Sequence, residues 1–194
     1  MACEAACYDG DPRAPAERLI GLVNDLLDIS RLESGKMSVA LQPASLAKLT
    51  RSVLDDLAPL IREKGHQLSV QDGGEATEVL ADPQLLRQVV LNLTSNAIKY
   101  TPAGGVISIA LGRGTGPTAR WAITDSGIGI PEGARARLFE KFYRADNAHT
   151  VETEGTGLGL YLVRLIVERL DGQVWCESEE GRGSTFSFTL PVSG

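Results

Sequence analysis

Three short segments carry side chains whose types and spacing could do chemistry. In the first, Gln88, Asn92, Asn96 and Lys99 recur at helical spacing. They form a stripe about 120° around a helix from Leu86, Val90, Leu93 and Ala97. An amide oxygen suits a hard cation such as Mg²⁺, and a lysine suits a phosphate as a point charge. The same stripe also reads as a solvated helix face. The second segment is the alternating run 120–125 followed by Gly127-Ile128-Gly129. Asp125 shares a face with Trp121 and Ile123, so its carboxylate closes an apolar row and needs a donor there. The exocyclic amine of adenine would serve, and so would the aspartate's own backbone in a turn. The third is Gly155-Thr156-Gly157-Leu158-Gly159-Leu160, with three alternate glycines opening a helix. Bare backbone N–H groups there can approach a phosphate, and the helix dipole favours its charge. No Lys-Ser/Thr follows, so this is not the Walker pattern. A long polar loop rather than a strand precedes it, which excludes the dinucleotide fingerprint.

These segments need elements to hold them. Apolar residues at helical spacing predict a helix over 16–33 that ends at Gly35, with Leu19, Leu22, Val23, Leu26, Leu27 and Ile29 as its stripe. That stripe could dock on the chain's own core or on a second copy. Residues 37–41 alternate like a strand, and Ser45 precedes a helical pattern that stops near Gly65. Short strands are expected near 67–70 and 78–81. Asp82-Pro83 opens a helix running to about Tyr100. Strands follow at 106–111 and 120–125. Then comes a long polar stretch, 130–156, with a short helix around 132–140. A helix over 157–170 and strands at 174–177 and 185–190 complete the pattern. Strands interspersed with three helices predict a layered α/β domain, one face of the sheet covered.

The chain has 194 residues, 43% hydrophobic and 23% charged, with a formal net charge of −6. Wholesale disorder is excluded on these values. No apolar run approaches the length of a membrane span, and the start carries acids in place of a secretory signal. The acidic balance argues against nucleic acid as a partner. Cys3, Cys7 and Cys176 are three, so they make no disulfide framework, and a reducing compartment fits. Cys176 reads as strand packing.

Taken together and in order, the motifs are more specific than any one of them. The run from Asn92 through Asn96, Lys99 and Tyr100 to Thr101-Pro102 comes first. Asp125, Gly127 and Gly129 follow, then Leu138 to Phe142, Tyr143 and Arg144, then Gly155, Gly157 and Gly159. This series resembles the N, G1, F and G2 boxes of the sensor histidine kinase ATP-binding domain. The last strand resembles that family's too, and residues 22–35 are similar to the second helix of its dimerisation hairpin. The resemblance spans about 17–191. It implies an α/β two-layer sandwich of the Bergerat type, with a mixed sheet against three helices. It divides the chain into a disordered lead (1–15), a partial dimerisation helix (16–35) and a histidine-kinase-type ATPase domain (36–192).

The resemblance also implies the site. ATP and Mg²⁺ would be the cofactors, and Asn96 would coordinate the metal. Asn92 and Lys99 would approach the phosphates, Tyr100 would pack beside the nucleotide, and Arg144 would reach the γ-phosphate. Asp125 would accept from the adenine amine, assisted by a water near Thr185, while Gly127 and Gly129 let the chain pass close to the base. Gly155, Thr156, Gly157, Leu158 and Gly159 would hinge a lid and present amides. Phe139, Phe142 and Tyr143 would anchor that lid, with Tyr143 at the nucleotide. Asn92, Lys99 and Arg144 would carry the catalysis.

One departure bears on function. In that family phosphate passes to a histidine on the first hairpin helix, next to an acidic residue, and no such sequence occurs here. His66 and His149 are the only histidines, and both read as surface residues. The expectation is therefore a two-component, phosphorelay-type kinase domain that donates the ATP γ-phosphoryl group to a histidine outside this sequence. Its partners would be ATP, a histidine-bearing hairpin, a response regulator downstream and a second copy of the chain. It would lie in the cytoplasm, alone or as part of a membrane-bound sensor. A water-using ATPase of the gyrase and chaperone type is the alternative. Those enzymes carry a glutamate base where this chain has Asn92, and an amide cannot take a proton from water. A nucleotide-sensing module without kinase activity and a serine kinase of the anti-sigma type are the remaining readings.

Overall fold

In a computed structural model, which describes residues 13–73, 77–151 and 155–193, the elements run in the following order. First come α1 (Arg13–Glu33), β1 (Gln42–Ser45), α2 (Leu46–Glu63), β2 (Gln67–Gln71) and β3 (Glu78–Ala81). Next are α3 (Pro83–Tyr100), β4 (Val106–Arg113), β5 (Thr118–Asp125), α4 (Glu132–Arg135) and α5 (Ala148–Val151). The chain ends with α6 (Gly159–Arg169), β6 (Gln173–Glu179) and β7 (Gly183–Pro191). The main sheet has the order β2-β4-β5-β7-β6, and β1 and β3 form a separate antiparallel pair. Only the β2–β4 pairing in the main sheet is parallel, so the sheet is mixed as expected.

Alternation along the central strands puts Trp121, Ile123, Phe186 and Phe188 on the helix-covered face. The α3 stripe of Leu86, Val90, Leu93 and Ala97 meets it, joined by Leu162, Val163 and Ile166 of α6. The α3 start is held by Asp82, whose carboxylate accepts from the N–H of Gln84 (2.9 Å) and of Leu85 (3.4 Å). At the other end of α3, Lys64 Nζ donates to the carbonyls of Ile98 (3.0 Å) and Lys99 (3.3 Å). Cations favour a helix C-terminus, so this contact suits the helix dipole.

Trp121, fully buried, stacks on Phe188 with ring centroids 5.3 Å apart and donates its indole N–H to Thr50 Oγ1 at 2.9 Å. That bond ties α2 to the centre of the sheet. Thr50→Val is expected to cost about 1–3 kcal/mol, because it strands a buried donor without changing the side-chain shape. Urea denaturation checks this, and an unchanged midpoint would contradict it.

Four local expectations are corrected. Residues 37–41 are not a strand; β1 lies just after them, where Gln42–Ser45 can pair with β3. The short helix after Ile130 spans only Glu132–Arg135, and turns continue from there. The first helix begins at Arg13, inside the stretch expected to be a disordered lead; residues 1–12 lie outside the described residues. His66 is buried rather than at the surface, with its ring Nε2–H donating to Ile98 O at 3.2 Å. His149 is exposed as expected. Among the described residues no helix is long and apolar enough to cross a membrane.

Candidate functional site

Helix α3 serves as a ruler for the site. From Gln88 to Tyr100 it rises about 18 Å, at roughly 1.5 Å per residue. A cavity of about 540 Å³ opens along it, lined by Asn92, Asn96, Lys99 and Tyr100. Across the cavity stand Asp125 and Gly129 from the end of β5, and Tyr143 and Arg144 from the following loop. Gly155, Thr156, Gly157 and Gly159 close the side nearest the start of α6. Segments from residues 92–100, 125–129, 143–144 and 155–159 thus converge on one cavity.

One end of the cavity is shaped for a flat, amine-bearing group. Asp125 is buried (6% exposed), and one of its oxygens accepts from the Gly127 N–H at 2.8 Å. Burial pushes its carboxyl up to about 6, against the pull of the Gly127 and Ser184 backbone amides. A carboxylate held there at a desolvation cost favours a ligand that brings its own N–H donor. A side chain at Gly127 would crowd the Asp125 carboxylate and the Tyr100 carbonyl, both 2.6 Å from where its Cβ would sit. Glycine therefore keeps this turn tight against the C-terminal end of α3.

The other end lies where α6 begins. A Cβ on Gly159 would sit 2.8 Å from Asn92 Oδ1, so the bare glycine lets α3 and the α6 N-terminus approach. Gly157 has φ +70°, and its carbonyl accepts from the Phe142 N–H at 3.0 Å. Phe142 is itself left-handed (φ 65°) and 61% exposed, so it holds this loop through its backbone, not by the packing expected of its ring. Phe139 and Tyr143 do pack against the core. Arg144 grips the loop, donating to Gly155 O (3.1 Å) and Ala148 O (3.3 Å). It is a cation already facing the cavity.

Three expected contact residues do not line it. Leu158 is fully buried in the core. Gly127 acts through its N–H on Asp125. Thr185 lies on the opposite sheet face, where its hydroxyl meets Thr124 Oγ1 at 2.9 Å. Ser184, paired with Asp125 across β5 and β7, takes the cavity position instead. Asn147, which donates to Gly129 O at 3.0 Å, and Leu160 also line the cavity and were not anticipated. The position of Asn147 depends on the loop path, which has no periodicity to read.

Helix α1 supplies a further wall through Gly21, Leu22 and Asp25. Ile29 and Leu32 bury it against the body. Glu33 accepts from Tyr161 OH at 2.7 Å and Lys141 Nζ at 3.3 Å, and Asp28 accepts from Gln88 Nε2 at 3.3 Å. Those two donors hold the Glu33 carboxyl below its ordinary range, Tyr161 more strongly. The expected stripe thus divides. Leu22, Leu26 and Ile29 face the body, while Leu19, Val23 and Leu27 are exposed, as is Ile20 outside the stripe.

Among the described residues no three His, Cys, Asp or Glu side chains gather to hold a metal ion. The cavity offers the Asn92 and Asn96 amides and no multidentate carboxylate cage. This donor set fits Mg²⁺, which is commonly held by few protein oxygens plus substrate phosphates and water. It does not fit zinc or a caged calcium.

Residues 81–194 match the family described as histidine kinase-, DNA gyrase B-, and HSP90-like ATPase. The circadian input-output histidine kinase CikA of Synechococcus elongatus is 39% identical over 177 residues, covering 90% of this chain and 23% of that protein. The structure of full-length ShkA in complex with AMPPNP superposes with a TM-score of 0.79 at 33% identity, over 92% of this chain and 37% of that one. The catalytic domain of histidine kinase ThkA gives a TM-score of 0.69 at 31% identity, over 78% of this chain and 95% of that domain. The chain spans under half the length of the curated relatives it matches.

Proposed function

Since the chain belongs to the histidine kinase-, DNA gyrase B- and HSP90-like ATPases and carries the ATP-binding catalytic domain of a histidine kinase, we propose that it delivers the γ-phosphoryl group of Mg·ATP to a histidine on a separate dimerisation hairpin. One observation carries this reading: Asn92, Asn96, Asp125 and the 155–159 glycines line one cavity, although they lie far apart in the sequence. Asp125 would hold the adenine amine and Tyr100 and Tyr143 would flank the base. The α6 N-terminus and the glycine amides would take the phosphates. Asn96, with Asn92 one turn away, would hold Mg²⁺, which would screen the phosphate charge. Lys99 would neutralise charge, and Arg144 would exchange the Gly155 and Ala148 carbonyls for the γ-phosphate. Catalysis would then be positioning and charge stabilisation, as in phosphoryl transfer generally.

Among the cavity residues of the sequence motifs, none is placed to activate water. Asn92 is an amide, and Asp125 is at the far end of α3, beside Tyr100. This favours transfer over hydrolysis. Neither histidine fits as acceptor: His66 is buried against the end of α3, and His149 sits on the four-residue α5. A response regulator would receive the phosphate from the hairpin histidine, and a second copy of the chain would complete the assembly.

Radiolabelled Mg·ATP tests the proposal. The chain alone should incorporate negligible label. With a histidine-bearing hairpin from a related kinase it should place acid-labile label on the hairpin. Brisk phosphate release without transfer would instead favour the ATPase reading, and acid-labile label on this chain alone would contradict the assignment of the acceptor elsewhere.

A further inference from the structure

Helix α1 crosses the phosphate end of the cavity, not the adenine end. Tyr100 marks the adenine end of α3, because its carbonyl accepts from the Ile128 N–H and lies against Gly127, beside Asp125. Asn92, against Gly159, marks the opposite end, and Gln88, one turn beyond it on α3, is the residue that bonds Asp28 of α1. Asp25 lies one turn before Asp28 on α1 and lines the cavity. The rotation of α1 is fixed on the C-terminal side of Asp25. Ile29 and Leu32 are buried, and Glu33 is bound to Tyr161 and Lys141. The Asp25 carboxylate is therefore held toward the place where a terminal phosphate would sit.

Charge makes this placement consequential. Among the described residues, Lys99 and Arg144 are the cations of the cavity wall, and Asp25 and Asp125 are its carboxylates. A metal-free triphosphate brings about four negative charges, and one Mg²⁺ cancels about half of them. A fixed carboxylate beside the γ-phosphate penalises the first species far more than the second. Burial, and then the neighbouring Asp28 charge, push the Asp25 carboxyl above its ordinary range.

We propose that Asp25 is a specificity-determining residue of the nucleotide cavity, a fixed negative charge on α1 that rejects metal-free triphosphate and so selects the magnesium complex. The proposal rests on the nucleotide reading above and adds a residue from outside the four sequence boxes. It also links α1 to occupancy. While α1 is docked, the γ-phosphate is favoured with its charge masked.

Titration calorimetry on the full chain tests it, with ATP and ADP, each in Mg²⁺ or in EDTA. Asp25→Asn keeps the side-chain volume on a partly exposed helix face. It should bind metal-free ATP about 5-fold more tightly, a change in line with one screened charge at close range. Its Mg·ATP affinity should change less than about 2-fold, with metal-free ADP between the two. Asp28→Asn removes the same charge one turn further from the cavity and should show less than half the effect on metal-free ATP. Equal changes for all nucleotides, no change for any, or an equal effect from Asp28→Asn would overturn the proposal. A parent chain that binds no adenine nucleotide would instead overturn the nucleotide reading itself, and this proposal with it.

Discussion

Asn96→Ala is expected to abolish metal-dependent nucleotide binding. Affinity for Mg·ATP should fall by about 100-fold, the upper range for losing a metal-site contact, while binding of ATP in EDTA stays near the parent value. The expectation follows from the donor set. Among the described residues no cage of carboxylates stands behind Asn96, so its loss leaves the metal only the Asn92 amide on α3. The fold should survive the change. Alanine is the best helix former, and Leu93, Ala97 and Ile98 still bury the opposite face of α3. Calorimetry with and without Mg²⁺, alongside a circular dichroism melt, separates the two effects. An unchanged magnesium dependence in a folded variant would remove the metal assignment.

Why α3 was legible in the sequence is a matter of local physics. Asp82 caps, Pro83 fits the first turn, and apolar residues recur at helical spacing, so the element and its two stripes follow from short-range rules. The buried stripe and the cavity-facing amides lie as that periodicity requires. Asp125 was legible for the same reason, since alternation alone puts it on the Trp121 face.

What failed depended on register or on tertiary contact. Thr185 and Ser184 differ by one position, and in a strand one position means the opposite face. Only the pairing of Asp125 with Ser184 settles which of them meets the cavity. His66 looks like an ordinary polar residue at a strand start. It is buried because Lys64 and His66 both reach the last carbonyls of α3, an element more than 30 residues away in sequence. The α1 wall is invisible in the motifs because its cavity residues, Gly21, Leu22 and Asp25, match no phosphate-binding pattern. Its docking depends on pairs such as Glu33 with Tyr161, separated by 128 residues.

Asp125→Asn should move stability and binding in opposite directions. The Asp125 carboxyl rises from 3.8 to about 6 because burial disfavours its charge. Between about pH 4 and pH 6 the native state therefore keeps a proton that the unfolded chain has released. Stability falls as pH rises through that window and levels off above it, a loss of up to about 3 kcal/mol. The asparagine variant carries no such charge. It should lose this pH dependence and gain about 1–2 kcal/mol at pH 7, less than the full amount because a buried amide is costly too. Its Oδ1 can still accept from the Gly127 N–H, which leaves the NH₂ facing the cavity. That donor would confront the adenine amine, another donor, so ATP affinity should fall by about 10-fold or more. Thermal melts from pH 4 to 8 and calorimetry with ATP read both effects. A parallel pH profile in parent and variant would deny that Asp125 is a buried carboxylate, and unchanged ATP affinity would deny that it meets the base. A gain in stability joined to a loss of binding would mean that the carboxylate is kept for the ligand at the expense of the fold.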